Sequence, residues 1–202
     1  MSLTRRQRAR LEEAIQYLNL EEMQRFCRAH GLPRTIQVEG PDGRLRRTGD
    51  RDRKDVVLAR ILDFALRGKT AGPTVYARSV VSDRPLPSRL TRRVRVHYGQ
   101  YEKKNEAYVA IMKKLTGGAY RNGMIARLVL RDFWTAGVAP TLAEFAEEWM
   151  RATEAHTRPR PEGAYLVDRW KGTAGPDWKE RRTQRAREAL QLLEEALAER
   201  EP

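Results

Sequence analysis

Two stretches of the chain decide the fold: LNLEEMQRFCRAHGLP at residues 18–33 and RKDVVLARILDFAL at residues 53–66. Apolar residues recur three and four positions apart in both, which is typical of amphipathic helices. In the first stretch they are Leu20, Met23, Phe26 and Cys27, and in the second Val57, Leu58, Ile61, Leu62, Ala65 and Leu66. We therefore predict two helices that pack on each other through these faces.

The first predicted helix has clear end signals. Asn19 with Glu22 three residues later is a capping-box pattern, and Gly31 stands where a left-handed residue closes a helix. For the second helix, either Asp50 or Asp52 can provide the cap.

The segment between the two helices, about residues 34–51, is not helical in pattern. Gly40-Pro41-Asp42-Gly43 carries the residues that tight turns prefer, between Ile36-Gln37-Val38 and Arg44-Leu45-Arg46. This predicts a β-hairpin inserted between the helices.

Helical patterns fill most of the remaining chain. Thr4 and Gln7 begin a first helix, and three short helices are expected after Asn105, after Asn122 or Gly123, and from Thr141 with Glu144. A final helix follows Asp177, and we expect it to be packed or self-associating, with Leu190, Leu192, Leu193, Ala196 and Leu197 as its apolar face.

The fold class predicted from these patterns is mainly α, with a small β-hairpin insertion. We divide the chain into a helical module at 1–68, a basic linker at 69–97, a compact helical unit at 98–155, and a linker with the C-terminal helix at 156–202. Within the first linker, Val94-Arg95-Val96 could instead be a short alternating strand.

Positive charge is concentrated in the first half. The formal net charge is +13, and residues 1–99 hold 22 Lys and Arg against 11 Asp and Glu, whereas residues 100–202 hold 18 against 16. A concentrated excess indicates a polyanionic partner, usually nucleic acid and sometimes anionic lipid. The predominance of arginine also suits bidentate phosphate contacts.

Other bulk features favour a soluble, cytoplasmic protein. Cys27 is the only cysteine, so no intrachain disulfide can form. No run of about 18 apolar residues predicts a membrane span, and the N-terminus runs into charged residues without an apolar signal core. In a bacterium we would expect the protein to be nucleoid-associated.

The pair of helices resembles a SAP domain, a helix–extended-linker–helix module of DNA-associated proteins. Leu18, Leu20, Met23 and Cys27 fill the apolar positions of its first helix, and Gly31-Leu32-Pro33 closes it. The matches in its second helix are Lys54, Val57, Leu58, Arg60 and Ile61. The chain departs from the family in the long insertion and in Asp52, where the family commonly has glycine. The resemblance implies duplex DNA, with a possible A/T-rich preference, as the partner.

The second half is similar to a helical domain of unknown function that follows SAP domains in some bacterial and fungal proteins. The similarity rests on Tyr120-Arg121-Asn122 and on the run from Thr141-Leu142-Ala143-Glu144 to Glu147-Glu148-Trp149. It implies no activity.

The candidate contact residues are the arginines of the insertion and the cations at and within the second helix. A helix N-terminus adds backbone N–H donors for phosphate. The set is Arg34, Arg44, Arg46, Arg47, Arg51, Arg53, Lys54 and Arg60. Tyr98, Tyr101 and Tyr120 could stack on single-stranded bases or pack in a core.

No pattern predicts catalysis, a metal or a cofactor. His30, His97 and His156 are dispersed, and Cys27 with His30 alone lacks the four ligands of a structural zinc site. Glu144 and Glu147 share a helix face, which capping and solvation explain. We therefore expect a non-enzymatic nucleic-acid-binding protein that contacts duplex phosphates with low sequence specificity.

Two other hypotheses stay open at this point. The C-terminal helices could recruit a protein partner, or a second copy of the chain, in an adaptor, which an exposed apolar stripe on the final helix would support. Alternatively, the hairpin could be the wing of a winged-helix reader, which a third helix packed on the pair would favour.

Overall fold

The computed structural model describes residues 3–101, 105–155 and 177–198. Within these ranges the chain forms seven α-helices: α1 (Arg5–Ala14), α2 (Leu20–Ala29), α3 (Lys54–Arg67), α4 (Glu106–Leu115), α5 (Met124–Thr135), α6 (Leu142–Ala155) and α7 (Trp178–Ala198). The strands are β1 (Thr35–Glu39), β2 (Leu45–Arg51) and β3 (Val75–Tyr76), and short 3-10 turns cover Ile15–Tyr17 and Arg78–Val80. The predicted class, mainly α with a small hairpin insertion, is confirmed. The linker predicted from residue 156 lies outside the described residues.

Local sequence signals set most helix ends. The side chain of Thr4 accepts a hydrogen bond from the backbone N–H of Gln7, and Asn19 does the same for Glu22, so both capping boxes are confirmed. The third box is confirmed as well: the carboxylate of Glu144 accepts from the backbone N–H of Thr141 at 2.7 Å. These signals succeed because both partners lie within one helical turn.

The start of α3 differs from the prediction. Arg53 is its N-cap and makes no capping side-chain bond. The carboxylate of Asp52, one of the two expected caps, instead pairs with Arg60. The end of α3 follows the ordinary rule, since Gly68 adopts a left-handed conformation with φ of 71°.

The chain forms two compact units, and neither is continuous in sequence. The described residues of unit 1 are 3–35, 50–73 and 177–198, and those of unit 2 are 36–49, 74–101 and 105–155. Residues 36–49 of the predicted hairpin therefore belong to unit 2, although the hairpin is inserted between two helices of unit 1. The C-terminal helix belongs to unit 1.

Unit 1 has a hydrophobic core formed by α1, α2, α3 and α7. Its fully buried residues include Leu11, Ile15, Leu18, Ile61 and Leu193. The apolar face of α7 lies against α1 and α3, so its leucines at 190, 192, 193 and 197 are buried or half-buried. The final helix is packed, and the exposed apolar stripe that an adaptor would present is absent from the described residues of α7.

Unit 2 contains a three-stranded sheet and helices α4 to α6. The strand order is β2-β1-β3, and β1 pairs with β3 in parallel. The side chain of Ile36 on β1 is buried in the core of this unit together with Tyr76 of β3. Pairing with β3 fixes the hairpin as part of a sheet.

Residues 74–101 also contribute to the core of unit 2, which differs from the linker expected at 69–97. Val80 and Val96 are completely buried. The backbone N–H of Val96 donates to the carbonyl of Pro140 at 2.8 Å, and Arg95 forms an antiparallel bridge with Thr141. This pairing agrees with the alternative of a short extended segment at 94–96.

Candidate nucleic-acid interface

A cleft of about 670 Å³ opens in unit 1. The 3-10 turn after α1 and the N-terminal ends of α2, α3 and α7 form part of its walls. The rest comes from the two segments where the chain leaves and re-enters the unit, at Arg34 and at Arg51–Asp52. Chain segments as distant as residues 16 and 183 thus meet around one concave surface.

Five of the six charged side chains that line the cleft are basic. They are Arg34, Arg51, Lys54, Lys179 and Arg182, and we refer to this site as the cationic cleft. Asp52 is the one acidic residue of the lining, and its carboxylate is 2.5 Å from a guanidinium nitrogen of Arg60. A concave surface lined by one sign of charge concentrates the field and attracts counter-ions. The electrostatics of the cleft therefore favour an anionic ligand.

The backbone adds to this potential. Helices α2, α3 and α7 all begin at the cleft, since Leu20, Lys54 and Trp178 line it. The N-terminus of each helix carries a partial positive charge. The three N-termini therefore reinforce the field of the basic side chains.

Arg60 holds the base of the inserted hairpin. Its guanidinium donates to the carbonyl of Pro33 at 2.9 Å and to the carboxylate of Asp52. The backbone N–H of Asp52 donates in turn to the carbonyl of Arg34 at 2.8 Å. These bonds tie the outgoing and returning segments to α3, and so they fix the positions from which Arg34 and Arg51 project.

Two of the cleft cations also have structural bonds. Lys54 donates through Nζ to the carbonyl of Gln16. Arg182 donates through Nε to the carbonyl of Tyr17 at 2.9 Å and forms an ion pair with Glu22. Both bonds satisfy carbonyls at the end of the 3-10 turn, where the helix leaves acceptors without partners. These bonds hold α3 and α7 at the cleft, and the charge of Arg182 is partly compensated.

The interior of the cleft is apolar. Leu18, Met23 and Val57 line it and belong to the core of unit 1. Leu20 and Trp178 also line it and remain 59% and 36% exposed. Leu20 was expected on the buried stripe of α2, but it occupies the first helical position and lies in the cleft.

The structure separates the eight predicted contact residues into three groups. Arg34, Arg51 and Lys54 line the cationic cleft. Arg53 and Arg60 are only 11% and 8% exposed, and they are held in ion pairs with Asp55 and Asp52.

The third group, Arg44, Arg46 and Arg47, lies exposed on the hairpin in unit 2. Arg44 and Arg46 are within 4.0 Å and 3.4 Å of the carboxylate of Asp42. The backbone N–H of Arg44, followed by Arg46, lowers the pKa of Asp42. The charge of these two arginines is therefore partly offset at the tip of the hairpin.

Sequence reasoning missed the contribution of α7. Lys179, Arg182 and Trp178 line the cleft although more than 100 residues separate them from α3. The signal in the sequence was the basic N-terminal half of α7. Cations at a helix N-terminus interact unfavourably with the helix dipole, so their presence there indicates a role other than stabilising the helix.

The candidate tyrosines mostly pack in the core of unit 2. Tyr120 is buried, with its ring centroid 5.1 Å from that of Trp149. Tyr98 lies against Tyr76 and Trp134, and the hydroxyl of Tyr101 donates to Asn122. Burial raises the pKa of both Tyr101 and Tyr120. This arrangement agrees with packing, the alternative to base stacking.

The Cys27–His30 pair has a structural explanation. Cys27 lies in the core of unit 1, and burial raises the pKa of its thiol. The ring of His30 lies between those of Phe26 and Phe64, with centroid distances of 4.5 Å and 5.1 Å.

Among the described residues, no group of three or more His, Cys, Asp or Glu is arranged to hold a metal ion. Within the described residues, no helix combines the length and the apolar content needed to cross a membrane.

Comparison with known proteins yields no relative. No protein-family model matches the chain, and neither a curated protein nor a solved structure shows significant similarity to it. The resemblance to SAP domains therefore stays a prediction.

Proposed function

We propose that this chain is a non-enzymatic nucleic-acid-binding protein and that the cationic cleft contacts the phosphates of duplex DNA. The observation that supports the proposal is the assembly of five basic side chains around one cleft, from three separate segments of the chain. Like charges repel, so their grouping opposes folding, and a bound polyanion would offset that repulsion.

Phosphate suits the chemistry of this cleft. Arginine presents a planar fork of donors that matches phosphate oxygens, and helix N-termini are ready-made phosphate sites. Two of the lining cations, Arg34 and Arg51, are arginines on the segments held by Arg60.

Low sequence specificity follows from the same chemistry. Phosphate contacts position a protein on DNA but carry no sequence information directly. We therefore expect different duplex sequences to bind with similar affinity.

The expected salt dependence can be worked out from the cleft. If Arg34, Arg51 and Lys179 each neutralise one phosphate, the logarithm of the binding constant falls with the logarithm of salt with a slope of about −3. At about −0.9 per neutralised phosphate, the three contacts give a loss of affinity of roughly 40-fold between about 50 and 200 mM salt.

The test compares two charge-matched triple variants of the full chain. Arg34→Gln, Arg51→Gln and Lys179→Gln remove three charges from the cleft, whereas Arg44→Gln, Arg46→Gln and Arg47→Gln remove three from the hairpin. Fluorescence anisotropy with a labelled duplex, measured across salt concentrations, gives affinity and slope for each protein. We expect the cleft variant to lose most of the slope and the hairpin variant to keep it.

Three outcomes would count against the proposal. Absence of binding at low salt by the folded wild-type chain would refute nucleic-acid binding. Loss of binding only in the hairpin variant would move the interface to unit 2. A duplex affinity that does not change with salt would exclude phosphate contacts as the source of binding.

A further inference from the structure

We propose that the interior of the cationic cleft receives one unpaired nucleobase, so that DNA with an unpaired nucleotide binds more tightly than fully paired duplex. This inference rests on the proposed function, because the surrounding cations would hold the phosphates. It adds a second recognition element that phosphate contacts do not require.

The exposed apolar residues are the first argument. Leu20 and Trp178 are two of the few large hydrophobic side chains that remain exposed in the described residues, and both line this cleft. Single exposed hydrophobic residues are ordinary, whereas these two lie in one concave surface that also holds five cations. A phosphate gains nothing from an apolar wall, whereas the face of a base does.

The kinds of side chain fit an unpaired base. Proteins that bind single strands combine cations along the backbone with aromatic side chains on which bases stack. Trp178 stands directly before Lys179, and Arg182 follows one helical turn later on α7. The N-terminal end of α7 therefore supplies a stacking surface and cations together.

The size of the cleft is sufficient for a single base. Its volume of about 670 Å³ lies in the range of about 300–1,000 Å³ that holds small organic ligands. A base inside a duplex is stacked on both faces and paired along its edge, so it must leave the stack before it can enter such a site. An overhang, a gap or a bulge supplies a base that has already left the stack.

Charge complementarity decides among possible occupants. An uncharged apolar peptide would bring no negative charge to the five lining cations, and a simple anion would leave Leu20 and Trp178 exposed to water. A nucleotide satisfies both parts of the cleft at once, since its phosphate is anionic and its base is aromatic.

The test uses three labelled DNAs with the full chain: a blunt duplex, the same duplex with a three-nucleotide overhang, and that duplex with an abasic overhang. The last two carry the same phosphates and differ only in the bases. We expect the overhang with bases to bind at least about fivefold more tightly than the abasic overhang. We expect Trp178→Ala to bring the ratio of these two affinities close to one, and Trp178→Phe to keep most of the preference for the overhang with bases.

Leu45→Ala is the matched control, because Leu45 is a similarly exposed hydrophobic residue on the hairpin of unit 2. It should leave the ratio unchanged. Circular dichroism of each variant checks the fold. If the alanine variant unfolds, the comparison of the two overhangs on the wild-type chain still decides the test.

The outcomes separate this inference from the proposed function. Equal affinity for the overhang with bases and the abasic overhang would overturn the inference while leaving phosphate binding intact. A ratio that survives Trp178→Ala would overturn it too, since the bases would then bind elsewhere. Failure of all three DNAs to bind would refute the proposed function itself. An acidic peptide also serves as a competitor against the labelled overhang DNA. If it were as effective as unlabelled DNA, the cleft would recognise charge alone, which also contradicts the inference.

Discussion

Replacing Arg60 by methionine should destabilise unit 1 by about 3–5 kcal/mol, the range for removing one partner of a buried ion pair. The side chains of Arg60 and Asp52 are 8% and 2% exposed. Methionine keeps much of the apolar stem but leaves the carboxylate of Asp52 buried without its cation, and the carbonyl of Pro33 loses its donor. The loss of a hydrogen bond to a charged group, about 1.5–3 kcal/mol, is a large part of that total.

The assay is urea denaturation followed by far-ultraviolet circular dichroism, with hydrogen exchange as the local readout. Peptides that cover residues 30–36 and 50–60 should exchange faster in the variant, because the two segments lose their attachment to α3. Arg67→Met is the matched control on the same helix. Its ion pair with Asp63 has an N–O distance of 2.7 Å, but the arginine is 66% exposed. An exposed pair contributes about 0.2–1 kcal/mol, so this variant should remain close to wild type.

A double-mutant cycle completes the test. In Arg60→Met with Asp52→Leu, no buried charge is left unpaired, so the double variant should be more stable than the sum of the single losses predicts. A decrease in the free energy of unfolding of less than about 1 kcal/mol for Arg60→Met, or strictly additive decreases in the cycle, would show that Arg60 and Asp52 are not energetically coupled.

Three further predictions concern particular side chains. The backbone N–H and hydroxyl of Thr141 lower the pKa of Glu144. The ionised carboxylate of Glu144 therefore stabilises the fold above its unfolded-state pKa, and this stabilisation is lost as the pH falls through the lower folded-state pKa. Thr141→Ala should therefore cost about 0.5–2 kcal/mol at neutral pH and less in acid, as thermal melts can measure. A thiol reagent should modify Cys27 roughly 100-fold more slowly in the folded protein than in urea, because the thiol is buried and its pKa is raised; equal rates would contradict its burial. Gly99→Ala should destabilise unit 2 by at least about 1–3 kcal/mol in denaturation, because φ is +94° and the added Cβ would lie 2.5 Å from the carbonyl oxygen of Ser82. Gly72→Ala, which meets no atom within 4 Å, is its control.

The local part of the fold could be predicted because its causes are local. The capping boxes at Thr4, Asn19 and Thr141 each join residues three positions apart, and a left-handed glycine at position 68 ends α3. The hairpin was predictable for the same reason, since its turn residues are contiguous.

The candidate site depends on contacts that no local pattern contains. Asp52 satisfies the local rule for a helix cap, yet a cation eight residues away on α3 takes its carboxylate. Nothing near Leu20 in the sequence indicates that the first turn of α7 stands beside the same cleft. The same limit applies to the hairpin, whose pairing with β3 requires residues that follow α3.

The arginines predicted to contact DNA differ in what they can contribute, and burial decides the difference. Arg60 is excluded from water and engaged by Asp52, so its charge is neutralised within the protein. Its effect on a ligand would be indirect, through the positions of Arg34 and Arg51. If all eight predicted cations contacted phosphates, the salt slope would be about −7, whereas contacts from Arg34, Arg51 and Lys179 alone give about −3. A measured slope near −3 would agree with binding at the cleft, and a slope near −7 would require the hairpin arginines, with other cations, to share the same DNA.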